Sequence, residues 1–192
     1  MKNTQKPVEA VKSEKTIAAI TKRLKEYGSQ TYADVWSLCI NLALRISDLL
    51  AITYNDVVGQ EMLIITERKT KKIRQIKLND TAKGVIARRR AENLDDIFLF
   101  QATGSRVQKL EPKALDRSTV ARKFAEIGNM KSISVKLGTH SMRKTRGYHL
   151  LQAGHSIETI CKMFQHSSPA VTLRYIGIEQ EDIDATFDDL CL

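Results

Sequence analysis

Apolar residues recur at helical spacing in most of the chain and at strand spacing in one stretch. Ile17, Ile20 and Leu24 mark one face of a helix from Ser13 to Tyr27, with Gly28 as its stop. Thr31 to Leu44 reads as a more buried helix, because Val35, Trp36, Leu38, Cys39, Leu42 and Leu44 cover much of its surface, and Arg45 stands at its end. Ser47 and Asp48 can cap a short helix through Leu50. Met62 to Thr66 is a β-rich run. Ile73, Ile76 and Leu78, on the far side of Lys69 to Lys72, give the returning strand of a hairpin. Asn79 or Asp80 caps a helix to about Glu92. Ile97 to Phe100 is a short buried connector, and Gln101 to Asp116 is a loop containing Gly104 and Pro112. Ser118 to Ile127, Thr139 to Gly154 and Ser156 to about Gln165 follow as helices, and Ser168-Pro169 opens a short helix carrying Tyr175. Glu179 to Leu190 is a last helix with Ile183, Phe187 and Leu190 on one face. The expected class is α+β, mainly α: helices packed around a core with a small antiparallel hairpin on one side. Residues 1–12 read as a flexible lead-in, 13–178 as one cored domain and 179–192 as a C-terminal tail.

Composition narrows this picture. The 192 residues, 42% apolar, suffice for one core and would be cramped as two domains. A formal net charge of +9 points to a polyanionic partner. The cations concentrate in Arg68 to Arg74 and Arg88 to Arg90, whereas Glu181, Asp182, Asp184, Asp188 and Asp189 make the tail acidic, suited to protein or water rather than DNA. Cys39, Cys161 and Cys191 lie far apart with no CxxC pair, which argues against a disulfide framework and a zinc site. No apolar run reaches the roughly 18 residues a membrane span needs, so no membrane partner is expected and the cytoplasm is the default.

His140-Ser141-Met142-Arg143 places an imidazole and a guanidinium three residues apart, on one face of a helix. Arginine offers a planar fork suited to phosphate, and histidine donates or accepts near neutral pH. Such a pair is common by chance, and a capping histidine beside a surface arginine is its bland reading. Arg45 lies at an apolar helix end, where charge normally has a partner or a task, although snorkelling there is ordinary. Lys69, with Lys71, Lys72 and Arg74 nearby, also reads as a solvated basic hairpin. His166 precedes Tyr175 by nine residues, and a tyrosine on a short helix usually packs.

Order and spacing change these odds. ALRISDLL, the basic hairpin, THSMRKTRGYHLLQAG, QHSS and RYI together resemble the tyrosine recombinase (phage integrase) family, from about residue 13 to 178. The resemblance implies a mostly helical catalytic domain with a small sheet. It makes Arg45 and Arg143 phosphate-clamping arginines, Lys69 the hairpin lysine with Lys71 as substitute, His140 and His166 the two histidine-position residues, and Tyr175 the nucleophile. Asp48 takes a supporting role, and Arg68, Lys72, Arg74 and Lys144 are DNA-binding candidates. Ala43 stands where the family commonly has Gly, an exchange expected to be harmless inside a helix. Lys144 stands where a second histidine often follows. Gln165 replaces a usual Gly, which costs about 1 kcal/mol or more if that turn needs positive φ.

The implied reaction is DNA strand cleavage and rejoining without metal, cofactor or ATP. Tyr175 attacks phosphorus to give a 3′-phosphotyrosine, and a second 5′-hydroxyl reseals the strand. A phenol of pKa about 10 needs help, expected from surrounding positive charge and from His140 as proton acceptor. Arg45, Arg143 and His166 donate to the non-bridging oxygens, and Lys69 protonates the leaving 5′-oxygen. The expected partners are a double-stranded recombination site, further copies of the chain as dimer to tetramer on DNA, and accessory DNA-bending proteins. The alternatives are a DNA-binding regulator of the same fold with little or no catalysis, and a type IB topoisomerase. Few residues precede Ser13, so the family's N-terminal core-binding domain is not expected here. An excised catalytic fragment and a short recombinase like the fimbrial phase-variation invertases are both open readings. The tail commonly docks on a neighbouring protomer in this family, and packing on its own core is equally simple.

Overall fold

The computed structural model describes residues 8–103 and 111–178, together with 184, 187 and 188. Its elements run α1 (Glu14–Tyr27), α2 (Gln30–Leu42), α3 (Ile46–Leu49), β1 (Met62–Thr66), β2 (Ile73–Lys77), α4 (Asp80–Glu92), α5 (Arg117–Gly128), α6 (Ser141–Gln152), α7 (Ile157–Phe164) and α8 (Pro169–Ile176). No helix among the described residues is long and apolar enough to cross a membrane. The C-terminal helix expected over 179–190 lies almost wholly outside the described residues, and of its apolar face only exposed Phe187 is described.

α2 is the spine. Seven of its residues are buried, among them Val35, Trp36, Leu38 and Cys39, and it packs on α1, α3, α4 and α6. Trp36 meets Phe124 of α5 edge to face, with ring centroids 5.7 Å apart, and so closes the core over α1. Buried Asp34 of α2 binds Arg88 and Arg89 of α4, pinning that helix across the spine. α1 starts where the Ser13 side chain accepts from the Thr16 N–H and stops at Gly28, whose N–H reaches Leu24. The connector at 97–100 is buried as expected at Leu99 and Phe100, and the Leu99 N–H donates to Ile52 at 2.9 Å.

The two strands form one antiparallel ladder, with Ile65 opposite Arg74 and Thr66 opposite Ile73. A second, smaller apolar cluster of Ala43, Ile160, Phe164 and Ile176 joins the end of α2 to α7 and α8, and Tyr175 packs against it. This cluster, rather than the main core, is what positions the C-terminal part of the site.

Two expectations change. The lead-in is not loose at residues 8–12: Val11 is buried, its N–H donates to Thr145 Oγ1 at 2.9 Å, and its carbonyl lies 3.0 Å from His149 Nε2. α2 ends at Leu42 instead of running to Leu44, because Ala43 turns into the left-handed region at φ 51°. That breaks the helix two residues before Arg45 and turns the backbone there. Ala43 is therefore not in a helix, and the Gly-to-Ala exchange is not free of backbone cost.

Candidate active site

The site forms where the α2–α3 break, the hairpin turn and the ends of α6, α7 and α8 meet. Arg45 is the residue just before α3, with extended backbone. Its guanidinium pairs with Glu67, a carboxylate with no exposed side-chain surface at the end of β1. The second Glu67 oxygen lies 3.2 Å from Arg74 Nη1. Arg74 is only 7% exposed, so it faces inward onto Glu67 and is removed from the DNA-facing cations expected of the hairpin. Burial alone would raise the Glu67 carboxyl. The Thr70 hydroxyl, Arg45 and Arg74 outweigh it and hold it below the ordinary value.

The turn after β1 is closed by the Glu67 backbone, whose N–H donates to Lys72 and whose carbonyl accepts from Lys71, both at 2.9 Å. Lys71 carries positive φ at 58° and is the turn residue. Buried Asp48 accepts from the Arg68 N–H at 3.0 Å, so the expected supporting role of Asp48 takes the form of anchoring this turn. Lys69 is exposed and lines a cavity of about 350 Å³ with Arg45, Arg68, Arg117 and His140. Lys71 and Lys72, also exposed, are not among its lining residues. Arg117, at the start of α5, is a member that motif reading missed. Its only sequence signal is a cation directly after the capping Asp116.

His140 is the N-cap of α6 rather than part of it, yet it still lies one turn from Arg143. Arg143 is buried and donates to the carbonyl oxygens of Ala43 (2.5 Å) and Phe164 (2.6 Å). Its guanidinium also stacks on the Phe164 ring at 4.5 Å. Desolvation brings its pKa down to about 10, so it remains a cation at neutral pH.

Tyr175 Oη lies 3.2 Å from His140 Nδ1 within the same chain. The His166 ring sits against Tyr175, centroids 5.0 Å apart, and Lys144 Nζ lies 5.5 Å from the phenol centroid. His166 follows Gln165, which does adopt positive φ (54°), yet the imidazole is held by Thr172 Oγ1 at 3.0 Å and by the Phe164 ring. Burial is the main cause that drives His166 down to about 4, helped by Arg143 and Arg45, so it is neutral. His140 is lowered too, by burial first and then by Arg143, Lys144, Arg117 and Arg45. The expectation for the phenol is reversed. Burial pushes Tyr175 up to about 12, and the positive charge of Arg143 and Arg45 only moderates this.

Five of the six expected residues thus surround one space: Arg45, His140, Arg143, His166 and Tyr175. Lys69 stands at its rim on the turn. The arrangement gathers two guanidiniums, a phenol against an imidazole, and an exposed ammonium at the rim.

A family model described as the phage integrase family matches residues 11–181. The probable integrase/recombinase YoeC of Bacillus subtilis (strain 168) is 34% identical over 148 residues, covering 77% of this chain and 78% of its own length. A tyrosine recombinase XerC of Thermodesulfovibrio yellowstonii is 24% identical over 165 residues, covering 80% of this chain, which spans only 52% of that relative. Among solved structures, the crystal structure of XerA recombinase superposes with a TM-score of 0.72 at 18% identity, over 98% of this chain and 66% of that one. A lambda integrase dimer bound to a COC′ core site gives 0.65 at 16% identity, over 91% of this chain and 49% of that one. These two likenesses concern the fold.

Proposed function

Since the chain belongs to the phage integrase family of tyrosine recombinases, we propose that it cleaves and rejoins DNA strands with Tyr175 as nucleophile. The observation that carries this reading is the 3.2 Å approach of the Tyr175 phenol to His140 Nδ1 beside buried Arg143. His140, held neutral by its surroundings, accepts the phenolic proton as the oxygen attacks phosphorus. The non-bridging oxygens lie between Arg45 and Arg143, with His166 Nε2–H as a further donor in the tautomer where the Thr172 hydroxyl turns from the Ser168 carbonyl to donate to Nδ1. Lys69 protonates the departing 5′-oxygen, and the product is a 3′-phosphotyrosine. The raised Tyr175 pKa belongs to the DNA-free site. An entering phosphate brings the proton transfer and the attack together, so free phenolate need not accumulate.

The partner is a double-stranded recombination site, approached through Arg68, Lys69, Lys72, Lys144 and Arg117. Exchange of strands calls for two or more copies on that DNA, and accessory DNA-bending proteins belong to the same reading, as does residence with the nucleoid in the cytoplasm. The test is a nicked suicide duplex carrying the cognate site. Wild type accumulates a covalent protein–DNA adduct, and Tyr175→Phe abolishes it without loss of DNA binding.

A second reading is a weakly catalytic DNA-binding regulator of the same fold, favoured by buried Arg143 already engaging both terminal nitrogens with the carbonyls of Ala43 and Phe164. Tight cognate binding by wild type with no adduct would decide for the regulator.

A further inference from the structure

Glu67 belongs to none of the sequence motifs, yet it is the sole carboxylate paired directly with Arg45 among the described ion pairs. Its side chain is wholly buried, and its two oxygens serve three partners from three places. One is Arg45, before α3. Another is Arg74 of β2, at 3.2 Å. The third is the Thr70 hydroxyl, 2.6 Å from Oε2, in the turn one residue beyond Lys69. Oε2 is the same atom that pairs with Arg45.

Resting on the proposed strand-cleaving reading, we propose that Glu67 is a positioning residue that fixes the phosphate-clamping Arg45 and the Lys69 turn relative to each other through one carboxylate.

An unpartnered guanidinium at a helix break has many rotamers, and one buried carboxylate held at Nη1 narrows them. The turn carries Arg68, Lys69, Lys71 and Lys72, whose mutual repulsion favours opening. The backbone bonds of Glu67 to Lys71 and Lys72 close the turn whatever side chain stands at 67. The carboxylate adds the contact to Thr70 that orients it over the cavity, and it is ionised for this task because Thr70, Arg45 and Arg74 hold its pKa low. Removing it strands two half-buried to buried guanidiniums, so the folded state and the site are affected separately.

The experiment uses the full chain and single-turnover cleavage of the nicked suicide duplex, in two forms. One has the natural 5′-oxygen leaving group. The other has sulfur in that bridging position, a leaving thiolate that needs no acid because thiol pKa values lie near 8.5. Glu67→Gln keeps the shape and is expected to slow the natural substrate about 10- to 100-fold, the range a misplacement of about an ångström produces. DNA affinity is expected to stay within about threefold. Thr70→Val breaks the link between the carboxylate and the Lys69 turn, together with the long 3.5 Å donation from the Lys72 N–H, and leaves Arg45 and Arg74 paired with Glu67. Its smaller loss, like that of Lys69→Ala, is expected to vanish on the sulfur substrate. Glu67→Gln is expected to recover only in part, the remainder being the share of Arg45, and Glu67→Asp to fall between Gln and wild type.

A Glu67→Gln rate within about threefold of an active wild type overturns the inference. So does full sulfur rescue of Glu67→Gln, which leaves Arg45 no share. If Glu67→Gln fails to fold, Thr70→Val decides, and a wild-type rate with Thr70→Val overturns the coupling. If wild type forms no adduct, the strand-cleaving reading fails instead. The Arg45 Nη resonances in ¹⁵N NMR then still test the pairing, which runs through Nη1 and is overturned if those signals are unmoved in Glu67→Gln.

Discussion

The guanidinium of Arg143 donates to the carbonyl oxygen of Ala43, a residue 100 positions earlier, and so ties α6 to the broken end of α2. A second donation, to Phe164, does the same for the end of α7. Each of these carbonyls lies at a left-handed residue: Ala43 itself at φ 51°, and Gln165, next after Phe164, at φ 54°. The backbone bends that present both oxygens to Arg143 are thus made by residues with a β-carbon. An L-residue there costs about 1–2 kcal/mol that glycine avoids.

The two positions differ in what glycine removes. Gln165 has a buried Oε1 without a hydrogen-bond partner, so Gln165→Gly relieves both strain and an unsatisfied group. It is expected to raise stability by about 1 kcal/mol, read as a higher denaturant midpoint at unchanged m-value. The Ala43 methyl is buried in the small α7–α8 cluster, and losing it costs about 0.8 kcal/mol. Ala43→Gly is therefore expected to lie within about 0.5 kcal/mol of wild type. Equal gains at both positions would contradict this account.

Gly147 of α6 is a close-approach position. A β-carbon there would sit 2.6 Å from Ile176 and 2.7 Å from Phe164, the residues flanking Tyr175 and Gln165. Neither neighbour is a free surface chain, since both belong to the small cluster. Gly147→Ala is expected to destabilise by about 1–3 kcal/mol. It should also reduce adduct formation on the suicide duplex more than it reduces DNA binding, because α8 carries the phenol. Loss of binding equal to the loss of cleavage would argue against displacement of α8.

Most of the fold is legible in the sequence because amphipathic helices and an apolar–basic–apolar hairpin announce themselves locally. Arg45, His140, Arg143, His166 and Tyr175 were readable through order and spacing, and they do meet. The misreadings have one physical origin, namely contacts between residues distant in the chain. Arg74 looks like a surface cation until Glu67 is placed opposite it, and Glu67 carries no motif signal at all until Arg45 arrives. The apolar pattern runs unbroken through Ala43 and Leu44, so the helix break there leaves no periodic trace. Burial of the phenol, which outweighs the cations around it, arises from α7 and α8 packing that no local pattern reports.

The cleavage rate should report His140. The imidazole must be neutral to accept the phenolic proton, and its pKa is depressed from 6.5 by burial first and by Arg143, Lys144, Arg117 and Arg45 after it. The acid limb of the single-turnover rate is therefore expected below pH 6.5, with a plateau through neutrality. Lys144→Met removes one of the depressing charges and is expected to move that limb upward, while His140→Gln removes it. A limb that ignores Lys144 would detach His140 from the proton transfer.

Protonation of His166 should be visible in the pH dependence of stability. Its folded-state pKa is lowered to about 4 against 6.5, so the unfolded chain takes up the proton first as acid is added. The stability this contributes is fully present above pH 6.5 and is lost as the pH falls toward about 4. Subtracting the pH profile of His166→Gln from that of wild type, measured by denaturant unfolding, should leave a difference that declines across that window and is flat above it.

Arg117 lines the same cavity as Lys69 and Arg45 and is exposed at the first turn of α5. Among the described residues no acidic side chain lines that cavity, so an entering phosphate meets Arg117 without displacing one of them. A contact of this kind is read in salt dependence, because each neutralised phosphate releases counterions. Arg117→Ala is expected to weaken DNA binding and to lower the slope of log affinity against log salt by about 1, evenly across sequences. His140 loses a neighbouring charge in the same variant, so the acid limb of cleavage should rise slightly. Arg88→Ala is the control: its guanidinium is engaged by buried Asp34, and its removal should leave the salt slope alone while lowering stability. An unchanged slope in Arg117→Ala would place the DNA backbone away from this side of the cavity.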